Sequence, residues 1–393
     1  MTDNDGYAPR GFAVHTAPVG LLDDGRDDFT VLMSTVQSTV SAVFTRSRFA
    51  GPSVVISRAA CADRSARGVV VLARNANVAT GAEGERNARE VRSLTARAAG
   101  VPEDELLIAS TGVIGRQYPM PAIRDHLKRL AAPLPEGGFD RAARAIMTTD
   151  TRPKLVRRRI GDAVLVGIAK GVGMMEPDMA TLLTFFATDA RLDPEEQDRI
   201  FRRVMDRTFN AVSIDTDTST SDTAALFANG LAGDVSSAAF EEALYEVALT
   251  LVKDIARDGE GAGKLIEVRV GGARDDSQAK RVAKAVVNSP LVKTAVHGGD
   301  PNWGRVAMAI GKCSDDTDIE QDRVVIRFGD VAVYPPGPSD ACDEDEVRAA
   351  VAAELAGSEV VIGIELGIGH GAFTVYGCDL TEGYVRLNAD YST

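Results

Sequence analysis

A chain of 393 residues, 45% of them hydrophobic, is long enough to bury more than one core, because single cores stop growing before that size. Its formal net charge of -13 excludes the concentrated basic footprint of a nucleic-acid or anionic-membrane binder. The one basic run, Arg157-Arg158-Arg159, is shorter than the blocks of like charge that mark interaction tails and reads as a solvated face.

No uninterrupted apolar run approaches the roughly 20 residues of a membrane span, and the stretch Met1 to Phe12, with Asp3, Asp5 and Pro9, lacks the apolar core of a secretory signal. The cysteines Cys61, Cys313, Cys342 and Cys378 have no paired spacing and no nearby histidines at zinc-ligand distance. They read as reduced thiols, and a soluble cytoplasmic protein without a metal is expected.

In chain order, strands are predicted at Ser53–Ser57 and Gly68–Leu72, a helix at Gly84–Ala99 and a strand at Glu105–Ala109. A long helix is predicted from Asp234 to Asp258. Ser236 and Ser237 are its candidate caps, Phe240, Leu244, Val247, Leu251 and Ile255 form its apolar stripe, and Gly259 is its stop. A helix at Asp276–Val287 precedes breaks at Ser289-Pro290 and Asp300-Pro301, so a smaller C-terminal α/β domain (286–393) is expected after a larger one (1–285). Tyr334 to Ser339 reads as a loop, followed by a helix at Asp343–Leu355 and a strand at Glu359–Leu366. The alternation makes the class α/β or α+β.

The densest chemistry lies between Val164 and Ala190. An apolar strand ends in Lys170, two glycines and Met174-Met175 follow, then a Glu176-Pro177-Asp178 turn and Met179-Ala180-Thr181 leading into a second apolar run. On pattern alone, Asp178 reads as an N-cap, Pro177 as a turn residue and Thr181 as an ordinary residue opening an element. Ser110-Thr111-Gly112 reads as a tight turn after a strand. Gly367-Ile368-Gly369-His370-Gly371 lacks the spacing of a dinucleotide loop. His15, His126, His297 and His370 show no metal spacing, and Asp215, Asp217 and Asp222 read as a hydroxyl-rich strand rather than a cation loop.

Taken together, several segments resemble the ornithine acetyltransferase (glutamate N-acetyltransferase) family. The run Lys170-Gly171-Val172-Gly173-Met174, then Pro177, Met179-Ala180-Thr181-Leu182-Leu183 and Thr188-Asp189-Ala190, is similar to that family's self-processing motif. Ser110 to Gly115, Met147 to Lys154 and Asp217 to Thr223 agree with it in order. So do Arg257 to Gly261, Asp300 to Arg305 and Asn388 to Thr393.

The resemblance implies two layered α/β domains and autocatalytic cleavage between Ala180 and Thr181. The products, an alpha chain (1–180) and a beta chain (181–393), would associate as two of each. It implies Thr181 as nucleophile, its freed amino group as base, and Thr111 and Gly112 as the oxyanion hole. It further implies substrate contacts from Thr148, Lys170, Thr181, Glu260, Asn388 and Thr393, with no cofactor. The implied reaction moves an acetyl group from N-acetylornithine to glutamate, releasing ornithine and N-acetylglutamate, as in arginine biosynthesis. An amidohydrolase or aminopeptidase with the same N-terminal nucleophile and water as acceptor is the competing expectation.

The chain departs from the family pattern at Ala73-Arg74, in the acidic stretch Leu21 to Asp28, and at Glu176 and Asp178, which stand where the family often has neutral residues. This acidic flavour is closer to the variant found in clavulanic acid gene clusters.

Overall fold

The computed structural model describes residues 7–21, 25–176, 182–335 and 344–390. Strands β1 (Phe12–Ala17), β2 (Phe29–Ser34) and β3 (Thr39–Phe44) come first, then α1 (Pro52–Ala60), β4 (Gly68–Leu72), α2 (Gly81–Ala99) and β5 (Leu106–Ser110). Helices α3 (Met120–Arg129) and α4 (Phe139–Ala145) lead into β6 (Lys154–Ile160), β7 (Ala163–Lys170) and β8 (Leu183–Arg191). Next are α5 (Pro194–Arg207), β9 (Thr223–Asp234), α6 (Ser237–Arg257), β10 (Leu265–Ala273), α7 (Asp276–Val287), α8 (Pro290–Gly298) and α9 (Gly304–Gly311). The chain closes with β11 (Val325–Phe328), β12 (Val331–Tyr334), α10 (Glu344–Leu355), β13 (Glu359–Glu365), β14 (Gly371–Cys378) and α11 (Glu382–Asp390).

These strands form three sheets, ordered β1-β2-β4-β5, β3-β9-β8-β7-β6 and β12-β11-β13-β10-β14. The first two pack face to face, and the period of two along each strand shows how. Val164, Val166 and Ile168 of β7 and Phe185 and Ala187 of β8 join Val69 and Val71 of β4 and Leu107 and Ala109 of β5 in one core. The intervening residues turn outward to helices: Leu165 and Phe186 pack on α5, α6 and the turn after α5, where Phe186 meets Phe201 of α5 and Phe209 of that turn edge-on at 6.2 Å. Val70, Leu106 and Ile108 pack on α2 and α3. The body is therefore helix, sheet, sheet, helix, and its strands read as continuous apolar runs because both faces are covered. The third sheet carries a separate core under α7, α9 and α10, and it recruits β10 from ahead of residue 286.

Most predicted elements are present within a few residues, including the long helix, where the Ser236 side chain accepts from the Ala239 N–H at 3.2 Å. The strand expected at Ser53–Ser57 is instead helical, part of α1. Pro52 at its first turn presets a helical φ. The Ser57 hydroxyl then fastens the helix to β5, donating to Ile108 O at 2.6 Å and accepting from Ile108 N at 2.7 Å. The predicted loop Tyr334 to Ser339 runs from the end of β12 into residues 336–343, which lie outside the described residues.

Candidate active site

Both sheets of the sandwich end at one edge, and the motif residues meet there. The C-terminal ends of β5 and β7 lie beside the starts of β8 and β9, since Lys170 pairs with Leu183 and Leu183 with Thr223. A cavity of about 260 Å³ opens at this edge. Thr111, Gly112, Thr148, Lys170, Glu260 and Asn388 all line it, together with Leu182, the residue that follows Thr181 in the chain. Ala180, Thr181 and Thr393 themselves lie outside the described residues.

The turn after β5 is shaped by its glycine. Gly112 has φ +125°, and a side chain there would run into the backbone of Arg74, so only glycine fits. The neighbouring amides are used by the fold, Thr111 N–H donating to Leu72 O at 3.0 Å and Val113 N–H to Arg74 O at 3.2 Å. Gly112 sits between them on the cavity wall.

Lys170 is buried at the end of β7 and donates from Nζ to Thr111 Oγ1 at 3.2 Å. Burial pulls its pKa below the ordinary lysine value, opposed by the charges of Asp150, Asp222 and Glu260. Behind it stands a second buried lysine, Lys154, whose Nζ donates to Asp150 at 2.7 Å and to Asp258 at 2.6 Å. Asp150 is the hub of this group. It also accepts from Gly171 N–H at 3.0 Å and from Thr148 N–H at 3.1 Å, fixing two cavity-lining residues. Burial alone would raise the Asp150 carboxyl, but Lys154, Lys170 and these hydrogen bonds hold it below its usual range.

The opposite wall comes from the turn after α6 and from the C-terminal helix. The Glu260 amide donates to Val172 O at 2.9 Å, and its carboxylate accepts from Asn388 Nδ2 at 2.8 Å. Helix α11 reaches this wall because Gly261, at φ +69°, leaves no side chain between itself and Gly383-Tyr384, and Thr381 Oγ1 donates to Gly261 O at 2.6 Å.

The stretch 215–222 closes the remaining side as a loop ahead of β9, not as the expected strand. Asp215 accepts from the amides of Met174 and Met175, both at 2.7 Å, which satisfies backbone donors that a strand would have paired. Tyr384 lies against Asp215, and burial followed by the charges of Asp215, Glu260 and Asp217 pushes its hydroxyl up to about 12. Sequence reasoning gave Asp150, Asp215 and Tyr384 no role at the site. Asp150 fell within the Met147 to Lys154 motif stretch, and Asp215 was marked only as one of three nearby acidic residues.

The arrangement offers an amide and a hydroxyl on one wall, a buried ammonium beside them and a carboxylate opposite. Such a cavity accommodates a small substrate carrying both a carboxylate and an amine, next to a polarised carbonyl. A larger cavity of about 450 Å³, lined by Arg207, Tyr245, Arg269 and Arg327, contains none of the predicted site residues. Among the described residues, no cluster of side chains is arranged to hold a metal, and no helix is long and apolar enough to cross a membrane.

Comparison with known proteins places the chain in a family. The ArgJ family pattern matches residues 13–393. Glutamate N-acetyltransferase Oat2 of Streptomyces clavuligerus is 78% identical over 393 residues, covering 100% of both chains. The arginine biosynthesis bifunctional protein ArgJ of Rhodococcoides fascians is 55% identical, covering 100% of this chain and 96% of its own. Among solved structures, the ArgJ protein of Bacillus halodurans is 40% identical over 52% of this chain and 96% of that chain, with a TM-score of 0.47.

Proposed function

From the premise that the chain belongs to the ArgJ family, we infer that it is a glutamate N-acetyltransferase that takes its acetyl group from N-acetylornithine. It becomes active by cutting itself between Ala180 and Thr181. The observation that carries this reading is the convergence of Thr111, Gly112, Thr148, Lys170, Glu260 and Asn388 on one cavity whose wall continues into Leu182.

In the precursor, Thr181 Oγ attacks the Ala180 carbonyl carbon. The C–N bond breaks, an ester forms on the hydroxyl oxygen, and the nitrogen leaves as the free amine of Thr181. Water then opens the ester, releasing Ala180 as a carboxylate and restoring the hydroxyl. The new α-amino group, with an ordinary pKa near 7.7 to 8.0, is matched to taking and returning a proton at working pH.

In turnover, that amine accepts the hydroxyl proton as Oγ attacks the acetyl carbonyl of N-acetylornithine. The Gly112 amide and Thr111 hydroxyl receive the developing oxyanion. The proton passes to the departing ornithine nitrogen, leaving acetyl-threonine, and glutamate takes the acetyl group by the reverse course, a ping-pong sequence.

Lys170 pairs with the α-carboxylate common to donor and acceptor, and Glu260 with the δ-ammonium that only the donor carries. Thr148, Asn388 and Thr393 complete the substrate contacts. The reading takes the enzyme as cytoplasmic, with two copies of each fragment per particle; the smaller domain, expected at 286–393, must also take in β10 and α7, which belong to the third sheet and its core.

The test is the intact mass of the purified protein beside a Thr181→Ala variant. Fragments 1–180 and 181–393, absent from the variant, are expected; an uncleaved wild-type chain rejects the mechanism. Product analysis with and without glutamate separates transfer from hydrolysis, since a hydrolase releases acetate at the same rate in both.

A further inference from the structure

We propose that Glu176 is a positioning residue for self-cleavage, anchoring the chain just upstream of the scissile bond to α7 and to Ser213. This rests on the cleavage reading above. It starts from a feature that turnover does not use: Glu176 carries an unusually complete set of partners for a glutamate at the edge of a turn.

One carboxylate oxygen accepts from Lys284 Nζ at 3.1 Å. The other accepts from Asn288 Nδ2 at 2.5 Å and from Ser213 Oγ at 3.1 Å. Both backbone groups are also engaged, the amide donating to Asp217 O at 2.8 Å and the carbonyl accepting from Thr218 Oγ1 at 3.2 Å. Its side chain is only 20% exposed and that of Lys284 only 19%, so the pair is shielded from the screening that weakens surface ion pairs. Lys284 and Asn288 belong to α7 and its cap, in the layer over the third sheet, whereas Ser213 belongs to the loop before the cavity. Glu176 therefore ties the segment leaving β7 to two separate parts of the molecule.

The rest of that segment is held equally firmly. Asp215 takes the amides of Met174 and Met175, and Ile214 N–H donates to Met175 O at 2.7 Å. Met174 is kept at φ +52°, a left-handed conformation that a methionine adopts only when its surroundings impose it. Downstream, Thr223 N–H donates to Leu182 O at 2.9 Å where β8 enters its sheet. The bond to be cut lies between these anchors, Glu176 on one side and Leu182 on the other.

Self-cleavage has no substrate-binding step, because nucleophile and carbonyl are neighbours in one chain. Their approach can be set only by where the chain is fastened on either side, and a displacement of about 1 Å costs on the order of 100-fold in such reactions. After the cut, the same anchor has no part in acetyl transfer, as Glu176 does not line the cavity. The two reactions are thus expected to separate.

The experiment follows cell-free synthesized full-length precursor, measuring the appearance of fragments 1–180 and 181–393 by mass spectrometry. Glu176→Ala is expected to slow cleavage about 10- to 100-fold. Once cleaved to completion, its kcat and KM for transfer are expected to stay within about twofold of wild type. Glu176→Gln, which retains an acceptor and can exchange donor roles with Ser213 and Asn288, is expected to recover cleavage to within about fivefold of wild type. Lys284→Met decides the matter if Glu176→Ala fails to fold, and is expected to slow cleavage in the same direction.

Wild-type cleavage rates in Glu176→Ala, or in Lys284→Met where that variant decides, would overturn the proposal while leaving the transferase reading intact. Parallel loss of cleavage, transfer and thermal stability would also overturn it, because that pattern marks general damage. A wild-type chain that stays whole would remove both readings together.

Discussion

Asp150 receives the amide of Gly171, the first residue after β7, at 3.0 Å, while its carboxylate remains bonded to Lys154. The backbone at the mouth of the cavity is thus tied to a buried charge group. Lys154 keeps Asp258 at 2.6 Å when the Asp150 carboxylate is neutralised, so Asp150→Asn is expected to destabilise the fold by roughly 1.5 to 3 kcal/mol, the range of one charged hydrogen bond. Denaturant unfolding with an unchanged m-value would measure it.

The same group predicts a pH dependence. The folded-state pKa of Asp150 is depressed, so its contribution is present above the unfolded value of about 3.9 and is lost as pH falls through the folded value. Stability is expected to decline below about pH 4, and Asp150→Asn to flatten part of that acid limb. Thermal melts of both proteins from neutral to acid pH would show the difference.

Thr111→Val keeps the shape of the turn and removes a hydroxyl from the cavity wall. The expected result is a fall in kcat of about 100- to 1000-fold with KM nearly unchanged, since in the proposed mechanism the lost donor would serve the transition state. Steady-state kinetics at saturating N-acetylornithine and glutamate would check it.

In the proposed reaction Glu260 would distinguish the two substrates by charge. Glu260→Gln is expected to raise KM for N-acetylornithine about 10- to 100-fold, the loss of one charged hydrogen bond, and to leave KM for glutamate within a few-fold. Gly173→Ala tests the same wall from behind, because a methyl there would run into the Glu260 carboxylate. It should reproduce the selective KM effect in weaker form.

Lys170 must be protonated to hold a carboxylate, and its pKa is lowered by burial. KM for both substrates is therefore expected to rise on an alkaline limb that begins below the ordinary lysine value of about 10.4. Lys170→Met is expected to raise both KM values and abolish that limb. KM measured against pH for each substrate in the two proteins would decide it.

Where the chain's periodicity was strong, the fold was legible. Phe240, Leu244, Val247, Leu251 and Ile255 mark one face of α6, and all are buried. The pairing of strands was not legible, because β7 is buried at every position and gives no alternation from which to choose a face. Val54-Val55-Ile56 looked like a strand because β-branched residues favour one, yet Pro52 and the hydrogen bonds between Ser57 and Ile108 make it helical. At the site, Lys170 and Glu260 lie 90 positions apart and only a motif resemblance linked them. Asp215 was read as part of a strand, and its actual role was not legible because its bonds run to backbone amides 40 and 41 positions away, a relationship that leaves no local pattern.

The order β3-β9-β8-β7-β6 places strands from both sides of residue 180 in one sheet, with β7 and β8 as neighbours. While the chain is continuous, these two antiparallel strands are joined through residues 171–182, and such a tether holds its ends at an effective concentration on the order of the millimolar scale. Scission between them, as proposed above, would remove that advantage. Folding would then become a one-way history: assembly is unimolecular before such a cut, whereas recovery after unfolding would require two separate polypeptides to find each other. A cleaved enzyme would persist by the slowness of its unfolding, and dilution after denaturation would erase what the original chain assembled alone.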